Sequence, residues 1–439
     1  MNTRGALRGV RLGGDLVDIA FADGVIISIT ASKGGTPHSP AVVLPGLVDL
    51  HTHLREPGDE DSETIRSGTA AAARGGFTDV FAMANTSPVT DSVDRLERLR
   101  ERLSDARVRV HPVAAATLGL QGRDVVDVDA LASAGVTMFS DDGRCVDDDL
   151  VARRILERMH AAGTVFAQHA QGREIVGDGV INARVAHRVD APGWPTRGEE
   201  QIVARDISLA AATGGRLHVC HVSTAGTVEL IRDAKRRGLT VTAEVTPHHL
   251  LLTDEDAAER GPSLKVNPPL RSPDDVRALQ DALRDGTIDA IGTDHAPHSA
   301  PRKAGDWRTA AFGLTALETA LPVVAELCTG VDGVDWARVA SVMSHAPARI
   351  GGIDDIAGRQ VAVGEPATLT LVEPGPTVVR AKEQVTRSAN TPFEGRQFGW
   401  RTTLTLIEGE AAYAETRRRG FPLGATRECT SRPLTQEIT

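Results

Sequence analysis

Eight short apolar segments run through the middle of this sequence, and most of them end in a histidine or an aspartate. They lie at 42–50, 77–83, 108–114, 136–140, 164–168, 217–221, 239–245 and 288–292. Stretches with helical patterning separate them, among them 62–74, 148–161, 199–212, 227–237 and 273–284. Eight strands alternating with helices are what a (β/α)8 barrel requires, so an α/β barrel of the TIM type is the expected body of the molecule. An open doubly wound sheet is the rival. No GxGxxG or GxxxxGK[ST] follows an early strand, which leaves a nucleotide-binding version without support.

The strand ends carry the chemistry. The first segment closes on Asp49-Leu50-His51-Thr52-His53, and strand alternation puts His51 and His53 side by side on one face. The fourth ends in Asp141-Asp142-Gly143, the fifth in His169, the sixth in His221 and the eighth in Asp294-His295-Ala296-Pro297-His298. In a barrel these points converge at the top of the axis. Imidazole and carboxylate together suit Zn²⁺ or a similar divalent ion. A lone histidine such as His111 or His218 reads better as a satisfied structural residue, and an HxH pair alone decides nothing. Five matched strand ends are a different matter, because the coincidences multiply. His248-His249, after the seventh segment, stays outside the ligand set.

Both ends of the chain read as β-structure. Residues 7–12, 16–21 and 25–30 are rich in β-branched side chains, with Asp23-Gly24 as a hairpin signal. Residues 367–372, 402–407 and 411–414 repeat the pattern. The expected organisation is a small β-sandwich assembled from 1–43 and 356–416, a barrel over 44–355, and a mobile tail over 417–439. A net charge of −10 without a basic block argues against a nucleic-acid partner, and no apolar run is long enough to span a membrane. The first nine residues have no apolar stretch of signal-peptide type. Cys145, Cys220, Cys328 and Cys429 form no CxxC pair and read as reduced thiols of a cytoplasmic protein.

The segments DLHTHLREPG, GGFTDVFAMANTSPV, MFSDDG, CHVSTAGTVELI, AEVTPHHLLLTD, VNPPLRSPDD and IGTDHAPH resemble the type I dihydroorotases of the amidohydrolase superfamily. The resemblance runs from about Leu44 to Ile350, with further matches at GEPATLTLVEP and SANTPFEG. It implies the reversible cyclisation of N-carbamoyl-L-aspartate to L-dihydroorotate in pyrimidine synthesis. By motif position His51 and His53 would bind a first metal, His169 and His221 a second, and Asp142 both. Asp294 would be a metal contact and the general acid/base. Arg55, Asn85 and His298 would hold the substrate carboxylate, Asn267 and the Phe312-Gly313 backbone would contact the ring, and His53 counts among the substrate-binding residues as well. The resemblance carries one or two Zn²⁺ per chain, a homo-oligomer expected as a dimer, and association with aspartate transcarbamoylase as a further partner to test.

Many relatives bridge their metals with a carbamylated lysine. This chain has five lysines and none between Lys33 and Lys235, so the Asp-bridged branch is the one available. Alternation adds weak independent support, since Asp142 shares a face with Met138 and Ser140 while Asp141 shares one with Phe139 and is expected to turn toward the outer helices. Two departures stand out: Gln171 occupies a position usually acidic, and residues 308–313 read RTAAFG where many members have Pro before Phe. A divalent metal would supply hydroxide near neutral pH, Asp294 would move its proton to the leaving nitrogen, and the Arg55 fork suits a substrate carboxylate better than a salt bridge to Glu56 or Glu63. A hydantoinase or allantoinase is the first alternative. Such sites use the bridging lysine and a pocket tyrosine, whereas Tyr413, the single tyrosine, falls in the C-terminal β-segment. A metal-free scaffold protein is the second, but such proteins lose ligands and here every ligand position is filled.

Overall fold

The computed structural model describes residues 4–32 and 41–415, so the tail expected over 417–439 lies outside the described residues. Strands β1 (Arg4–Leu12), β2 (Asp15–Ala22) and β3 (Val25–Ala31) form an antiparallel meander. Asp23 and Gly24 both take positive φ, at 50° and 81°, as a tight hairpin turn between right-twisted strands demands. Val17, Ile19 and Phe21 alternate inward and are buried.

The apolar segment at 42–50 is not one strand but two. Strand β4 (Val42–Pro45) pairs with β1, whereas β5 (Leu47–Thr52) opens the parallel part of the fold. The chain changes sheet at Gly46, where a Cβ would lie 2.4 Å from Thr78 Oγ1. Apolar patterning alone does not expose that break, because both strands are buried throughout.

Parallel strands β5, β6 (Phe77–Ala82) and β7 (Arg109–Pro112) make one sheet. Strands β8 (Met138–Phe139), β9 (Val165–Gln168), β10 (Arg216–Val219), β11 (Val241–Val245) and β12 (Ala290–Ile291) make a second, also parallel. Single parallel bridges, Ala114 to Phe139 and Thr52 to His295, join their edges. The helices between are set by their ends. In Pro273–Asp285, Ser272 and Asp275 form a capping box, proline takes the first turn, and Gly286 terminates at φ 86°. Its Val276, Leu279 and Leu283 form one buried stripe; each contributes about 1.5–3 kcal/mol by leaving water.

The C-terminal strands β13 (Leu369–Val378), β14 (Gln397–Ile407) and β15 (Glu410–Ala414) return to the N-terminal meander. The resulting seven-stranded sheet runs β15-β14-β13-β4-β1-β2-β3. Helix Ala320–Leu327 has no counterpart among the sequence expectations. Six of its eight residues are buried, which leaves no polar face to create a period. No helix among the described residues is long and apolar enough to cross a membrane.

Candidate metal centre

The ends of β5, β8, β9, β10 and β12 bring their polar residues together. His51 and His53 stand side by side with ring centroids 5.4 Å apart, as strand alternation requires. Asp142 lies between the imidazoles: Oδ1 is 3.2 Å from His51 Nε2, 3.3 Å from His169 Nδ1 and 3.5 Å from His221 Nε2, while Oδ2 is 3.3 Å from His53 Nε2. Asp294 Oδ1 sits 3.1 Å from His53 Nε2 and 3.7 Å from His51 Nε2. Two overlapping groups can hold an ion, His51–His53–Asp294 and His51–Asp142–His221, and all five residues are buried. His169 stands beside them, its Nδ1 2.8 Å from His221 Nε2.

The donor set fits a divalent metal. His51 Nε2 and Asp142 Oδ1 are buried without a hydrogen-bond partner, and such orphans are costly unless something binds them. Burial works against ionisation of Asp142 and Asp294, yet the surrounding imidazoles hold both well below the usual carboxylate range. Burial likewise opposes protonation of His51, but the Asp142 and Glu244 charges overcome it. Backbone strain marks the same place: Arg55, His221 and Asp294 take positive φ, at 60°, 33° and 43°. Non-glycine residues hold that conformation only where the surrounding structure imposes it.

Several residues outside the expected ligand set surround the cluster, and Glu244 among them was not singled out in the sequence. Glu244 on β11 hydrogen-bonds His51 Nδ1 at 2.7 Å, leaving Nε2 to face the carboxylates. A third group, His51–Cys220–Glu244, could hold an ion as well. His218 reaches 3.3 Å from Glu244 Oε2, so it belongs to the layer around the cluster rather than to an unrelated core. Asp49, fully buried and raised to about 6 by that burial, binds Thr293 N at 2.8 Å and ties the Asp294 loop to β5. Asp141 does not turn to the outer helices: its carboxylate accepts from Ala116 N and Thr117 N, each at 2.9 Å, in the loop after β7. Both ring nitrogens of buried His248 are without partners, and burial pushes this imidazole down to about 4.

The residues expected around the substrate form a rim. Arg55 donates to Pro297 O at 3.1 Å, its Nη2 lies 3.4 Å from His298 Nε2, and it makes no ion pair with Glu56, Glu63 or any other described carboxylate. His298 Nε2 meets Phe312 O at 2.6 Å, while Nδ1 is buried and unpartnered. Asn85 Oδ1 is 3.0 Å from His53 Nδ1, so this side chain braces a cluster residue. Gln171, the non-acidic departure, has its Oε1 3.0 Å from His169 Nε2 and 3.0 Å from Asn267 Nδ2, and so links the cluster to the rim. Asn267 Oδ1 is buried and unpartnered.

A buried His/Asp cluster at the C-terminal ends of parallel strands defines a hydrolase of the amidohydrolase kind. The family model described as dihydro-orotase-like matches residues 40–227. A dihydroorotase of Streptomyces coelicolor is 47% identical over 428 residues, spanning 93% of this chain and 98% of that one. The dihydroorotase of Mycobacterium tuberculosis is 45% identical, covering 92% and 97%. In three dimensions the L-hydantoinase (dihydropyrimidinase) of Arthrobacter aurescens matches with a TM-score of 0.82 and 26% identity over 93% of this chain and 96% of that one. The chain belongs to the dihydroorotase family of the amidohydrolase superfamily.

Proposed function

We propose that the chain interconverts L-dihydroorotate and N-carbamoyl-L-aspartate with gain or loss of water, with His51, His53, Asp142, His169, His221 and Asp294 holding one or two divalent ions, zinc foremost. The observation that carries the substrate assignment is Arg55. Its guanidinium lies beside the cluster, where the Asp294, Asp59 and Asp142 charges act on it from a distance, and no described carboxylate supplies a directly paired negative charge. A ring substrate bearing a carboxylate supplies that charge, whereas a plain hydantoin does not.

Opening the ring adds water across an amide C–N bond: the oxygen joins the carbonyl carbon and a proton joins the ring nitrogen. When bound, a divalent ion supplies Lewis acidity toward a carbonyl oxygen and acidifies water. The chain's own residues do the rest. Asp294, held against His53 at 3.1 Å, accepts the proton released in ring opening and returns it to the ring nitrogen; in ring closure it runs the same transfer backward. Arg55 and His298 orient the carboxylate, and Asn267 with the Phe312-Gly313 backbone orients the ring. Asp294→Asn keeps the size of the side chain but cannot carry a proton. Initial rates in both directions should fall by at least about 100-fold, the lower end of general acid–base contributions. Near-normal turnover in either direction would assign the proton transfer elsewhere.

The architecture supports the same reading. We infer that the two parallel sheets, bridged at both edges, close into one eight-stranded barrel spanning 44–355, and that the sheet of the two termini folds into a small sandwich from 1–43 and 356–416. The family assignment extends the proposal to a cytoplasmic homodimer that is open to association with aspartate transcarbamoylase.

A further inference from the structure

Residues 386–391 lie between β13 and β14, far in sequence from any strand end of the parallel sheets, yet they insert among the loops of the site. Thr386 Oγ1 donates to Glu63, and Ser388 Oγ donates to Ser62 O at 2.6 Å. Asn390, 9% exposed, reaches the loops that carry His298 and Gly313. Its Nδ2 donates to Ala296 O and Gly313 O, both at 3.1 Å, its Oδ1 accepts from His298 N at 3.3 Å, and its backbone carbonyl accepts from Thr315 N at 3.2 Å. One side-chain amide thus spends both donors and its acceptor on two loops, 295–298 with His298 and 312–315 with Phe312 and Gly313.

Those loops touch through their backbones. Gly313 has φ 139°, and a Cβ on it would lie 2.6 Å from Ala296 O and 3.0 Å from His298 Cδ2. The Gly313 carbonyl is also gripped from another side by Lys303, whose Nζ donates to Gly313 O at 2.8 Å, Ala311 O at 3.0 Å and Lys265 O at 2.6 Å. Between the two grips the Phe312 carbonyl reaches His298 Nε2, and His298 in turn lies against Arg55.

We propose that Asn390 is a positioning residue for substrate: by joining the Ala296 and Gly313 carbonyls to the His298 amide it sets the spacing between His298 and the Phe312-Gly313 wall, and so controls affinity for a ring substrate that bears a carboxylate. The inference rests on the activity proposed above. Asn390 makes no hydrogen bond to the His/Asp cluster among the described residues, so its loss should move substrate binding and leave metal binding in place. Asn390→Asp is the sharper variant, because it turns an oxygen toward two carbonyl oxygens in place of the amide donors.

The test uses the full-length, zinc-loaded chain, with kcat and KM for L-dihydroorotate, metal per chain, and thermal unfolding measured on wild type, Asn390→Asp, Asn390→Ala and Lys303→Met. Asn390→Asp should raise KM about tenfold or more, a scale set by what small misplacements at a site cost, while metal content holds and kcat changes less. Asn390→Ala and Lys303→Met should shift KM in the same direction. A KM within about twofold of wild type in folded, metal-loaded Asn390→Asp, or a loss confined to kcat, overturns the proposal. Should both Asn390 variants fail to fold, an unchanged KM in Lys303→Met overturns it too. A wild-type chain that binds metal but does not open dihydroorotate would instead remove the activity on which the inference rests.

Discussion

Asp142 directs its oxygens to different histidines, Oδ2 to His53 and Oδ1 to His51, His169 and His221, which is the arrangement a bridging carboxylate needs. No lysine stands in its place, so Asp142→Ala should lose metal and turnover together, and the intact mass of the active wild-type protein should show no carbamyl adduct. An adduct, or activity that depends on bicarbonate, would count against an aspartate bridge. On the proposed role of Arg55, Arg55→Met would remove a charged hydrogen bond to substrate worth roughly 1.5–3 kcal/mol, so turnover of dihydroorotate should drop about tenfold or more with metal content intact. Unchanged kinetics would move the carboxylate site elsewhere. The cluster residues were legible in the sequence because each ends an apolar segment. Glu244 and Asn390 were not: Glu244 acts on His51 across 193 positions, and Asn390 on Ala296 across 94, so no local period connects either to its partner.

Elements were legible where one face is buried and the other wet. Helix Pro273–Asp285 shows a cap, a stripe and a terminating glycine in the sequence itself. The segment at 42–50 and the helix Ala320–Leu327 hide their boundaries because burial on all sides erases the pattern. Close packing between elements gives a direct check at Gly75, the last residue of helix Ile65–Gly75, where a Cβ would lie 2.1 Å from Leu317 O. Alanine gains up to about 1 kcal/mol over glycine in a helix interior, but overpacking against backbone costs about 1–3 kcal/mol or more. Gly75→Ala should therefore lower the unfolding free energy in a urea titration. A variant as stable as wild type would show that the helix and the 317 loop do not approach so closely.

At the scale of the molecule, the two ends of the chain share one seven-stranded sheet while the middle builds the parallel sheets and the site. That division was visible as β-rich ends around an alternating body, whereas the strand pairing that joins the ends was not, since nothing local in β4 names β1 and β13 as its neighbours. The solved hydantoinases share this architecture, so fold alone does not choose the substrate. The proposed substrate role of Arg55 is what separates a carboxylate-bearing ring from a plain hydantoin. The most direct measurement is turnover of dihydroorotate, carbamoyl-aspartate, hydantoin and allantoin side by side, on metal-loaded protein and on the same protein after chelation. Dihydroorotate and carbamoyl-aspartate should be converted far faster than the other two, with activity lost on chelation and restored by Zn²⁺. Preferred turnover of hydantoin or allantoin, or full activity in the metal-free chain, would contradict the account.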